Sequence, residues 1–158
     1  MQLTRIAVLA AASAAAAFAQ LPTTKVLTVD LAQTIAQEAM MKCRADGYKV
    51  TVHVVDSGNF LKAFVRDDGA GLATIEVARM KANSVIWMNR PSGPPPNLAP
   101  GAPVPPPLIP GTINAMGGVP IKVGDQTIGA VAVSGAPGGD KDAACANAAL
   151  MKVADKLK

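Results

Sequence analysis

The run Ile-Gly-Ala-Val-Ala-Val-Ser-Gly at Ile128–Gly135 constrains the fold more than any other stretch of the chain. It is almost continuously apolar and too short for a core helix, and it ends in small residues, which reads as a strand buried on both faces. Upstream, Gly117-Gly118-Val119-Pro120 opens an apolar segment, and Gly124-Asp125 supplies a turn. Together these predict a hairpin of roughly Val119–Val123 and Thr127–Ser134 opening onto a glycine-rich rim.

A second hairpin precedes it. The β-branched run Val50–Asp56, the turn Ser57-Gly58-Asn59 and the segment Phe60–Arg66 fit two antiparallel strands. Three helical patterns complete the chain. Thr28 caps the first, about Val29 to Asp46, with Leu31, Ile35, Ala39 and Cys43 forming a stripe at four-residue spacing and Gly47 as the stop. Leu72, Ile75, Ala78, Ala82 and Ile86 define the second, to about Met88. The third runs from about Asp140 to Leu157, acidic at its start and rich in lysine at its end. The order α-β-β-α-β-β-α predicts an α+β fold, one antiparallel sheet with three helices packed on it.

Two regions lie outside this pattern. Arg5, the apolar stretch Ile6–Ala17 and Ala17-Phe18-Ala19 have the layout of a secretory signal, so residues 1–19 are expected to be removed and the domain to occupy residues 20–158, periplasmic or secreted. Pro91–Gly111 holds ten of the thirteen prolines. Proline at that density excludes regular helix and central strand. The insert reads as a solvated loop or lid, a proline-rich recognition segment or an oligomer arm.

The formal charge of +4 is small and its cations are scattered, without a stripe or interleaved aromatics, which argues against nucleic acid as a partner. Two cysteines, Cys43 and Cys145, could join two helices as a disulfide in an oxidising compartment or remain as two buried thiols.

Val50–Asn59, Ala63–Ala70, Lys81–Ser84, Gly117–Pro120 and Ile128–Gly135 occur in the order seen in the GlcG/HbpS-like family of small haem-binding domains, which the chain resembles from about Leu27 to Leu157. The resemblance implies a profilin-like arrangement, haem as a possible cofactor, and assembly into a homo-oligomer. Three features depart from the family pattern. Asp67 stands where methionine is usual in an Arg-Met-Asp-Gly-Ala motif, the turn reads Gly124-Asp125 where Asp-Gly is commoner, and the proline-rich insert lengthens the middle.

Arg66 and Lys81 match the family's arginine and lysine motifs and could clamp carboxylates such as haem propionates or a small organic acid. Their alternative is local pairing, Arg66 with Asp67 or Asp68 and Lys81 with Glu76 or solvent. His53 is the only histidine, so no multi-histidine metal site is expected. Alternation places it with Thr51 and Val55 on one sheet face, as a packed histidine, a subunit contact or an axial haem ligand. Met116, beside Gly117 and Gly118, could face a ligand at the rim, where the glycines permit positive φ and close backbone approach. The other methionines suit core packing, and Tyr48 an edge position.

Strong enzyme signatures are missing: no Cys-x-x-Cys, His-Glu-x-x-His, Gly-x-Ser-x-Gly or phosphate loop occurs. The leading expectation is an exported binding protein for haem or a related small acidic ligand. The alternatives are an enzyme of organic-acid or diol metabolism using Asp56, Arg66, Asp68 and Lys81, or a structural or signalling partner without a ligand.

Overall fold

The computed structural model describes residues 23–107 and 109–158. The expected signal segment lies outside the described residues. Helix α1 (Val29–Ala45) leads into strands β1 (Thr51–Asp56) and β2 (Leu61–Arg66), then helix α2 (Ala73–Met88), strands β3 (Gly118–Val123) and β4 (Gln126–Ser134), and helix α3 (Gly139–Lys152). This is the α+β order that the patterns predict. Thr28 caps α1, its hydroxyl accepting from the Leu31 amide at 3.3 Å. Helix α3 stops five residues short of the expected Leu157: Val153 turns out of the helix and packs into the core at 2% exposure, and a 3-10 turn, Ala154–Lys156, follows.

The four strands form one antiparallel sheet in the order β2-β1-β4-β3. Each hairpin pairs internally, and the long-range pairing of β1 with β4, from Thr51↔Ser134 to Asp56↔Gly129, fuses the two. Strand β4 is a central strand, paired on both sides from Gly129 to Ala132, which fits the apolar composition there.

Helices α1 and α3 cover one sheet face. Ile35, Ala36 and Ala39 of α1 and Ala146 and Ala149 of α3 pack there against Val52, Val54, Ile121, Val131 and Val133, all fully buried. Cys43 and Cys145 are joined as a disulfide between the two helices, with Cα atoms 5.5 Å apart. Helix α2 lies on the opposite face over Val55, Ala130 and Ala132, contributing Ala82 and Val85. Those small side chains let α2 approach the sheet closely.

From the end of α2 the proline-rich segment returns to β3 along the side of α2. The Asn83 amide donates to the Gly111 carbonyl at 3.0 Å, and the Ser84 hydroxyl donates to the Ile113 carbonyl while accepting from its amide. The Ser92 hydroxyl accepts from the Gly118 amide at 2.8 Å. Side chains of α2 therefore tie down one end of the insert and Ser92 the other. None of the helices among the described residues is long and apolar enough to cross a membrane.

Candidate functional site

The sequence-predicted residues fall into two groups. The first surrounds Lys81. Lys81 lies on α2 with the buried Ala78 and Ala82, and its ammonium donates to the Asp142 carboxylate at 2.7 Å and to the Val133 carbonyl at 2.9 Å. Lys81 is 2% exposed and Asp142 4%. The other Asp142 oxygen accepts from the Ala136 amide at 3.0 Å. One buried ion pair thus links α2, β4 and the start of α3.

Gly117 and Gly118 roof this pair. Gly117 has φ +127°, and a Cβ there would sit 2.6 Å from the Lys81 ammonium nitrogen and 2.7 Å from the Val133 carbonyl; at Gly118 it would meet the Lys81 carbonyl at 2.7 Å. Glycine is required for close packing, and the packing leaves no space for a ligand between these groups. Met116 is 43% exposed, and its backbone carbonyl lies 2.8 Å from where a Cβ on Gly139 would project. The ammonium of Lys81 is therefore committed to Asp142, not to Glu76 or solvent, because Glu76 is held by Arg79 on the next turn at 2.5 Å.

The second group lies between α2 and the edge strand β2. Register places Arg66 opposite Thr51 and Phe64 opposite His53. All four residues occupy the α2 side of the sheet, with His53 and Arg66 diagonal neighbours. The Thr51 and Thr74 hydroxyls share a hydrogen bond of 2.7 Å, fixing the start of α2 to β1. The Phe64 ring is 40% exposed and stands edge-on to the imidazole, centroids 6.0 Å apart at 82°. The Nδ1 of His53 is buried and has no hydrogen-bond partner among the described residues.

Burial lowers the His53 pKa from its ordinary 6.5, and the nearby Arg79 guanidinium adds to this, with Glu76 opposing. The ring is neutral at neutral pH. Since the unfolded chain takes the proton first as pH falls, stability is expected to decline in the window just below 6.5. His53→Gln should flatten that slope in urea midpoints measured against pH. The carboxylates held low by their partners, Asp67 and Glu76, act in a separate window below 4.5.

Arg66 is exposed and donates to the Ala70 carbonyl, not to Asp67 or Asp68. Asp67 instead turns inward to 1% exposure and takes a bidentate contact from Arg44, at 2.7 and 3.0 Å, with Lys49 at 3.9 Å. That hydrogen-bonded pair holds the Asp67 carboxyl below the usual range and the Arg44 guanidinium above it.

The family model described as haem degrading protein HbpS-like matches residues 27–151. This chain is an HbpS-like protein. The crystal structure of HbpS is 30% identical, with 89% of this chain and 99% of that chain covered and a TM-score of 0.72. Klebsiella pneumoniae protein ORFY is 25% identical over 85% of this chain and 94% of its own, with a TM-score of 0.73. The PduOC:haem complex, 21% identical over 80% and 94% with a TM-score of 0.69, shares the fold. No curated protein sequence matches the chain.

In this HbpS-like chain the acidic Asp67 does not project into a rim, since Arg44 draws it to the end of α1. The sequence reading missed Asp142, Phe64, Arg79 and Arg44. Phe64 carries a signal only once register is known, and Arg79 only once α2 is packed over the sheet. Asp142 lies 61 residues from Lys81, with nothing local to connect them.

Proposed function

We propose that this HbpS-like chain is an exported haem-binding protein that holds its ligand on the face between α2 and β2. The observation that carries the reading is His53, the chain's only imidazole, held neutral beside a surface aromatic with an Nδ1 that has no hydrogen-bond partner among the described residues. The family's description and the haem complex among its fold neighbours support the same class of ligand. The donor chemistry fits haem. Bound haem would supply an iron centre that an imidazole nitrogen can ligate. His53 provides that imidazole, Phe64 an apolar contact, and Arg66 and Arg79 guanidinium groups able to pair with propionates. The Phe64 ring stands at the surface edge-on to the imidazole, so moving it is expected to open access from that side.

Haem added to the purified protein should give a saturable Soret change. His53→Ala should alter the spectrum, and Arg66→Ala should weaken binding by about 1–3 kcal/mol for a lost charge-assisted contact. Phe64→Ala should speed association by uncovering the ring. Equal, weak uptake by wild type and all variants would reject the site.

Export is part of the proposal. The leader pattern before Gln20 and the Cys43–Cys145 disulfide, a bond rare in reducing compartments, support it. Intact mass of protein recovered from the periplasm or medium should correspond to a chain starting at Gln20, and a chain starting at Met1 would contradict it.

A further inference from the structure

The outer edge of β2 has no paired strand among the described residues, and we infer that it takes up an extended peptide of alternating cationic and apolar residues as an added strand. Sheet order places β2 at one edge and β3 at the other. Edge β3 is blunted by Pro120, which has no amide proton to offer. Edge β2, Leu61–Arg66, contains no proline.

The Asp67 amide donates to the Val50 carbonyl, which fixes the phase of the ladder. Hydrogen-bonded pairs alternate in an antiparallel ladder, so Val65 and Ala63 direct their backbone groups at β1 while Phe64 and Arg66 direct theirs outward; Lys62 is the extra residue of a bulge opposite Val54 and Val55. None of the backbone hydrogen bonds between elements or in turns among the described residues ends on those outward groups.

A cleft of about 840 Å³ runs along this edge, between α1 and Lys62–Val65. Its α1 wall carries Asp30, Gln33, Thr34, Gln37 and Glu38, two carboxylates with no cation on the helix between them. At 1.5 Å per residue Asp30 and Glu38 are about 12 Å apart along the helix, close to the roughly 13 Å between strand residues four apart. A residue added opposite Phe64 would put its own side chain beside that ring, and its neighbours would face the acidic wall. Apolar and cationic side chains in alternation match both surfaces, and strand addition gives affinity through main-chain bonds. The peptide would share the Phe64 ring and Arg66 with the proposed haem site, whereas the acidic wall of α1 belongs to the peptide alone, so the test uses haem-free protein.

The probe is a short synthetic peptide alternating lysine and valine, added to the full mature protein, with amide hydrogen exchange read residue by residue. The expected result is new protection at Phe64 and Arg66, no gain at Ala63 and Val65, and no effect from a peptide alternating glutamate and valine. Asp30→Lys with Glu38→Lys should weaken binding by about tenfold or more. Binding without protection of the two outward amides, equal binding of the acidic peptide, or affinity unchanged in the double variant would each overturn the proposal. So would protection that rises with protein concentration alone, which would assign the edge to a second copy of the chain.

Discussion

Lys81→Ala is expected to destabilise the protein by about 3–5 kcal/mol, because it strands a buried carboxylate. Asp142 is 4% exposed and would keep only the Ala136 amide as a partner. Against a domain stability of roughly 5–15 kcal/mol, that loss is a large fraction of the total. Urea unfolding measures it. The companion double variant, Lys81→Met with Asp142→Asn, should recover much of the difference, since it removes both charges while an amide oxygen can still accept from Ala136. A Lys81→Ala protein as stable as wild type would show that the pair is not buried as described. The same variant separates structure from ligand contact: any haem affinity it loses should track its unfolded fraction.

The second large effect belongs to the disulfide. Cys43 and Cys145 close a loop of sequence separation 102, and in the chain-entropy account a loop near that length stabilises by about 4–5 kcal/mol. Cys43→Ala with Cys145→Ala should show that loss in urea unfolding while keeping native circular dichroism, because both positions are fully buried between small neighbours on α1 and α3. A double variant unfolding at the wild-type midpoint would mean that the unfolded chain is not constrained by the bond. In the unreduced protein, titratable thiol after unfolding would contradict the bond itself.

Local patterns made the elements legible. The four-residue stripe Leu31, Ile35, Ala39 and Cys43 is the face that α1 turns to the core, three of the four being fully buried. Alternation likewise placed Thr51, His53 and Val55 together on the α2 side. What joins the elements was not legible, because it depends on pairs far apart in sequence. Nothing in Val50–Asp56 says that β1 pairs with β4, or that this leaves β2 and β3 as edges. Lys81, set between Ala78 and Ala82, reads as a cation in an apolar stripe, but its carboxylate partner is on another helix. Asp67 reads as a turn residue, and only the fold brings Arg44 to it across 23 residues. His53 could be placed on a face, whereas Phe64 beside it follows from register.

The most direct measurement of the haem assignment is rescue of a His53→Gly variant by free imidazole. The cavity left beside Phe64 should admit imidazole, so adding it to the haem-loaded variant should restore the wild-type Soret position and visible bands in a saturable way, with no such change in wild type. A variant whose haem spectrum already equals that of wild type, or that imidazole leaves unaltered, would contradict a role for His53 in holding haem.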